Sequence, residues 1–199
     1  MAHIPDGIVS TPVLLAGAVV AAGGIGLGLR RLTPERLPKV AVLSALFFVA
    51  SLVHFPVGLT SVHLMLGGLA GLLLGWAAFP AIAVGLILQA VLFGFGGLLV
   101  LGVNIANIAL PAVLLGLAGR GLLARPALAH PAFAGVVAGG GAVAGTALMV
   151  ALSLALSGRE FQVGAQALAI TYVPLMVVEA VFTAALLGLL VKVKPEALR

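Results

Sequence analysis

His3 stands so near the amino terminus that one short peptide offers several nitrogen donors: the terminal amine, one or two backbone amides and the imidazole. These can lie in one plane around an ion, and an all-nitrogen square plane is diagnostic of Ni(II) or Cu(II) rather than Zn(II). An amide must lose its proton to ligate, so binding at such a site releases protons and depends on pH. His63 follows Gly58-Leu59-Thr60-Ser61 at the start of an apolar run, and His54 closes the run before it. The charge pattern described below puts His3, His54 and His63 on one membrane face. Packing does not predict that convergence. A hydrogen bond to a neighbouring helix is still the plain alternative for His63, and contact with interfacial water for His54. His130, before Pro131, receives no role.

Other polar side chains within apolar runs are costly and therefore functional candidates by default. Gln89, Asn104 and Asn107 fit donors that orient metal ligands. Interhelical hydrogen bonds, worth about 0.6 to 2 kcal/mol each, are the slightly favoured reading. Asp6 accompanies His3, and Ser61 stands two residues before His63. Glu179 falls in the middle of the last apolar run, where it pairs inside the bundle or meets a partner; the sequence leaves both readings open.

The elements that must position these residues follow from composition. Of 199 residues, 63% are hydrophobic and 8% charged, against about 25% charged in an ordinary soluble domain. A soluble domain, a disordered chain and a coiled coil are excluded, which leaves an all-α, polytopic membrane protein forming a single domain over residues 1–199. There are no cysteines, so disulfides, zinc–cysteine sites and iron–sulfur clusters are excluded. The net charge of +5 sets topology rather than marking a nucleic-acid partner. The first basic residue is Arg30, so the opening is not a signal peptide and reads as part of the working protein.

Seven apolar runs are expected as spans: Thr11 to Leu29, Pro38 to Val53, His63 to Phe79, Pro80 to Phe95, about Leu98 to Leu117, Pro131 to Leu156 and Leu168 to Val191. The connections at Arg30 to Lys39 and Arg120 to Arg125 and the tail with Lys192, Lys194 and Arg199 are basic; the others, including Ser157-Gly158-Arg159-Glu160, are neutral. Basic loops belong in the cytoplasm, which places the amino terminus outside, the carboxyl terminus inside, and requires an odd number of spans. Small residues recur four apart, as at Gly17 and Ala21, Gly24 and Gly28, Gly135 and Gly139, and Gly141 and Gly145. Such spacing lets helices approach closely in lipid. It fits internal packing first and a docking face for a partner subunit second. Gly139-Gly140-Gly141 lacks the Lys-Ser/Thr of a phosphate loop. The chain therefore does not hydrolyse ATP by that route.

The opening Met1-Ala2-His3-Ile4-Pro5-Asp6-Gly7 resembles the Met-His-Ile-Pro-Asp-Gly start of the NikM/CbiM proteins. These are the substrate-capture membrane components of energy-coupling-factor transporters for nickel and cobalt. Phe55 to His63 is similar to that family's Pro-Gly-Ser/Thr-His segment. Gln89 to Gly94, Gly96-Gly97-Leu98 and Leu101 to Asn107 continue the likeness, and Pro174 to Ala180 resembles a Pro…Glu-Gly segment near the family's end.

The resemblance implies seven helices in the cytoplasmic membrane and an outer amino terminus threaded into the bundle. It also implies a Ni(II) or Co(II) ion held as cargo by the terminal amine, the amide and imidazole of His3, and His63. The partners it implies are a transmembrane coupling subunit, ATPase subunits and a small accessory membrane subunit. The chain departs from the pattern at Ala2. If Met1 is removed, as a small second residue favours, the start becomes Ala2-His3 and the family geometry is restored one residue later. If Met1 stays, the amine, two amides and His3 fill the plane and displace His63. Met1, Ala2, His3 and His63 are thus the candidate metal positions, with His54, Asp6, Ser61, Gln89, Asn104 and Asn107 as further or orienting candidates. An intramembrane metalloenzyme is the rival from another class, but there is no His-Glu-x-x-His helix. A passive channel is the other, though conduction needs weaker sites than nitrogen chelation provides.

Overall fold

The computed structural model describes residues 3–57, 60–125, 130–158 and 162–198, with the backbone alone for 54–57, 60–62 and 162–170. Within these residues the chain forms seven α-helices: α1 Thr11–Arg30, α2 Leu37–Ala50, α3 Gly67–Leu74, α4 Ala78–Phe93, α5 Leu101–Leu123, α6 Pro131–Ala155 and α7 Gln162–Val193. One hairpin, β1 His54–Val57 with β2 Thr60–His63, interrupts them. Prolines sit in the first turn of α1, α2 and α6, where the missing amide costs no helical hydrogen bond.

Among the described residues, five stretches are long and apolar enough to cross a membrane: Thr11–Arg30, Gly67–Phe93, Leu101–Leu123, Pro131–Ala155 and Thr171–Val193. Their outward side is apolar, with Val19 72% and Leu148 70% exposed, as lipid-facing residues are. The interior is drawn together by small residues. A methyl group at Gly17 would meet the Val103 backbone, one at Gly28 would meet Pro80 and the Trp76 carbonyl, and one at Gly135 would meet the Ala184 backbone. A methyl at Gly139 would meet the Glu179 carbonyl and Thr183, and one at Gly145 would meet Pro111. The four-residue small spacings therefore serve packing inside the chain.

The segment expected as a third span, His63 to Phe79, is built differently. Pro56 and the β-branched Val57, Thr60 and Val62 favour extended backbone over helix, and the hairpin pairs His54 with His63 and Val57 with Thr60 in antiparallel register. Non-helical backbone is tolerated at membrane depth where protein buries it, and His63 through Leu66 are buried. The helix then runs only from Gly67 to Leu74 before Gly75, at φ +59, breaks it.

The chain reverses at that break. On α3, Gly67 lies against Ala112 and Ile108, and Gly75 lies near Leu117 and Arg120, so α3 descends alongside α5. On α4, the Ala81 carbonyl accepts from Ser44, Gly85 meets Phe47, and Phe93 stacks on Phe48, so α4 rises alongside α2. Gly67–Phe93 is therefore a short descending helix followed by a longer ascending one. At 14 residues, α2 is about 21 Å long and stops short of a full crossing, where the hairpin takes over.

The three basic segments meet at one end of the bundle. Lys39 Nζ donates to the Ala197 carbonyl at 2.6 Å, and Arg120 donates to the Leu198 carbonyl at 3.3 Å. The Arg31 guanidinium lies 5.9 Å from the centre of the Trp76 ring. Around them is a cavity of about 530 Å³ lined in part by Arg36, Lys39, Arg120 and Lys194. His3, Phe95 and Ser157 lie at the opposite end.

Candidate metal centre

The segment before α1 buries His3, Ile4 and Val9 and leaves Pro5, Asp6 and Gly7 exposed. Ile4 and Val9 are buried with Val100 and Val103 of the α5 start and Val150 and Leu154 of α6. Burying Ile4 leaves its backbone polar groups to be satisfied, and Asn104 does so: its Oδ1 accepts the Ile4 amide and its Nδ2 donates to the Ile4 carbonyl, both at 3.0 Å. Two residues on, Asp6 Oδ1 accepts the Val100 amide at 2.9 Å. Val100 is the residue before α5, whose free amides favour an anion. Ser10 donates its amide to Ser157 Oγ at 3.1 Å. The polar opening is thereby fastened at three points.

The turn from α4 to α5 makes room for this. Gly96 has φ +75, and a methyl there would lie 2.8 Å from Asn104 Nδ2 and 3.2 Å from His3 Cβ. At Gly97 a methyl would overlap the Asp6 carboxyl carbon at 2.1 Å.

His3 is thus carried to His63 at the end of β2. The two Nε2 atoms are 3.1 Å apart, and the rings stack with centroids 5.1 Å apart and planes 16° from parallel. Both residues are buried. Phe95 covers the His3 ring at a centroid distance of 6.2 Å. His63 Nδ1 lies 3.1 Å from the Leu64 carbonyl. A carbonyl accepts only, so Nδ1 carries the proton and the neutral ring offers its lone pair at Nε2. His3 Nε2 must then be the donor between the rings, which leaves the lone pair of His3 on Nδ1. That atom is buried with no hydrogen-bond partner among the described residues. Burial first, and then the neighbouring His63, push the His3 imidazole down to about 3, so it is neutral at physiological pH and needs no proton removed to ligate a cation.

Gln89, on α4, is fully buried with neither carboxamide atom hydrogen-bonded among the described residues. It lies near enough to His3 to favour its protonated form, in opposition to burial. The Gln89 carboxamide is the buried polar group that α4 sets beside the His3 imidazole. Asn107 is placed elsewhere: its Oδ1 accepts from Ser153 on α6 at 3.1 Å, a bond between helices. Met1 and Ala2 lie outside the described residues, as do the side chains of His54 and Ser61. The His54 backbone pairs with that of His63.

Sequence reasoning singled out His3, His63, Gln89, Asn104 and Asp6, which the fold brings together. It missed Phe95, Gly96 and Gly97 as parts of the enclosure and the Leu64 carbonyl as the group that sets the His63 tautomer. The glycine cluster was a signal, because positive φ and close approach both call for glycine; a backbone carbonyl leaves no mark in a sequence.

The described residues thus form an apolar helical bundle that brings His3 of the amino-terminal segment against His63. Residues 3–197 match the family model for the cobalt uptake substrate-specific transmembrane region, CbiM, and the chain belongs to that family. A protein of Haemophilus influenzae whose name describes metal transport is 42% identical over 198 residues, covering 98% of this chain and 96% of its own length. A fused nickel transport protein, NikMN, of Rhodobacter capsulatus is 39% identical over 123 residues, covering 58% of this chain and 35% of its own. The crystal structure of a truncated transition metal transporter superimposes with a TM-score of 0.73 at 26% identity, covering 96% of this chain and 98% of the other. The chain is accordingly a membrane component of metal uptake.

Proposed function

We propose that this protein captures Ni(II) or Co(II) on the outer face of the cytoplasmic membrane and presents it for ATP-driven uptake by partner subunits. The observation that carries the reading is the convergence of His3 and His63, sixty residues apart in sequence and 3.1 Å apart in space. In a chain that begins at Ala2 after loss of Met1, the amine of Ala2, the amide and imidazole of His3, and His63 supply four nitrogens. The chelate ring that joins an amide nitrogen to the imidazole of the same residue closes through Nδ1 rather than the more distant Nε2. In His3, Nδ1 is the atom without a partner among the described residues. Loading would exchange the bond between the imidazoles for bonds to the ion. A planar nitrogen set of this kind suits Ni(II), and nickel binds more tightly than cobalt by the Irving–Williams order.

The gathering of the basic segments at the end opposite His3 supports an outer amino terminus, an inner carboxyl terminus and seven membrane-embedded helices. A chain of this kind needs a transmembrane coupling subunit, ATPase subunits and, in the family's pattern, a small accessory membrane subunit. The test is metal content and visible absorption of the purified protein. The parent should hold one Ni(II) per chain with the d–d bands of a planar nitrogen site. His63→Ala should lose stable binding, and His54→Ala should lose less. A His63→Ala protein that binds like the parent would replace this reading with a peptide site that retains Met1 and does not use His63.

A further inference from the structure

Glu179 is fully buried in the middle of α7, far along the chain from the histidines. Its Oε1 accepts the amide of Met65 and, at 2.7 Å, that of Leu66. These amides belong to the junction between β2 and α3. Leu66 holds φ 53 there, the one non-glycine residue with positive φ among those described. An L side chain adopts that conformation rarely, so the junction is held in place by its partners rather than by its own preference.

One peptide group connects this clamp to the candidate metal centre. The Met65 amide and the Leu64 carbonyl are the two ends of a single planar, trans peptide, so they point in opposite directions. The amide end donates to Glu179 and the carbonyl end faces His63 Nδ1 at 3.1 Å. Fixing the amide therefore fixes the aim of the carbonyl, and the carbonyl sets which His63 nitrogen bears the proton.

We propose that Glu179 is a positioning residue for metal capture, acting through the Leu64–Met65 peptide to hold His63 with its Nε2 lone pair turned toward His3. The proposal rests on the metal-capture reading above. It gives α7 a mechanical connection to a ligand borne on another element: displacement of α7 at Glu179 releases the peptide and with it the tautomer of His63. Partners that orient a metal-bound imidazole typically affect affinity by 10- to 100-fold when removed.

The test compares Glu179→Ala, Glu179→Gln and Glu179→Asp with the parent and with His63→Ala. Ni(II) affinity and the absorption spectrum per bound ion are measured on purified, monodisperse protein. Glutamine keeps an oxygen at the same reach and should bind close to the parent. Aspartate keeps the charge but is one methylene too short for the two amides, so it should lose affinity, as alanine should, by roughly 10- to 100-fold. In both, the d–d bands of the remaining bound nickel should shift as His63 leaves the coordination sphere. A residue that merely stabilised the fold would lower the folded yield and leave the spectrum per ion unchanged. If alanine fails to fold, the glutamine and aspartate pair still decides. Parent-like binding by aspartate with loss in glutamine would show that charge matters rather than aim, and would overturn the proposal. Parent-like affinity and spectrum in the folded variants, with His63→Ala defective, would overturn it while leaving the metal site standing. Parent-like binding in His63→Ala would remove the site itself.

Discussion

Asn104 grips Ile4 through both polar groups of its backbone, accepting the amide and donating to the carbonyl at 3.0 Å each. A side chain on α5 thus does for the amino-terminal segment what a neighbouring strand does in a sheet, and it does so one residue from His3. Each bond is worth roughly 0.5 to 1.5 kcal/mol net. Together they fasten the segment that carries His3.

Asn104→Ala removes both bonds and leaves the Ile4 amide and carbonyl buried without partners. Affinity for Ni(II) should fall about 5- to 150-fold, the span that corresponds to losing the two bonds. An aminopeptidase should also remove residues from the amino terminus faster than in the parent. Equal digestion rates and equal affinity would show that Asn104 does not retain the segment.

Gly97→Ala tests the seat of Asp6. The added methyl would lie 2.1 Å from the Asp6 carboxyl carbon, so the carboxylate must leave the Val100 amide. Thermal stability in detergent and metal binding should both drop. Gly23→Ala is the control, since a methyl at Gly23 meets nothing within 4 Å and alanine favours helix by about 0.8 to 1 kcal/mol. If Gly97→Ala behaves like Gly23→Ala, the carboxylate is not held where the geometry puts it.

The absence of cysteine makes topology directly measurable. Thr33→Cys lies between basic residues and should resist an impermeant thiol reagent in intact, right-side-out cells. Gly158→Cys, next to the Ser157 that holds Ser10, should react. The reverse pattern would place the metal centre on the cytoplasmic side.

Much of this was legible before any coordinates. The apolar runs, the basic loops and the small-residue spacings gave the bundle, because each depends on local composition. His3, Asp6, Gln89, Asn104 and His63 stood out because polar side chains in apolar runs need partners. The hairpin at His54–His63 was harder to read: Pro56 and Gly58 suggest a loop, and whether a loop pairs with itself depends on the cavity that receives it. The reversal at Gly75 was placed a few residues late, at Pro80, since a proline in the first turn of a helix and a proline that ends one look alike in sequence. Glu179 was visible as an oddity but not as a clamp, because its partners are backbone amides of Met65 and Leu66, which the identity of those residues does not reveal.

The central claim is that the chain's own amino group ligates the ion beside His3 and His63, and metal stoichiometry of a blocked amino terminus tests it most directly. An amino-terminal extension, with His3 and His63 intact, takes the amine's lone pair out of donation and fills the space into which the end must thread. The account predicts that extended protein holds no Ni(II) through purification. Proteolytic release of the native start should restore one ion per chain with its planar d–d bands, and a carboxyl-terminal tag should change nothing. One ion per chain at parent affinity with the extension still in place would contradict the account, and the site would then have to be built from side chains alone.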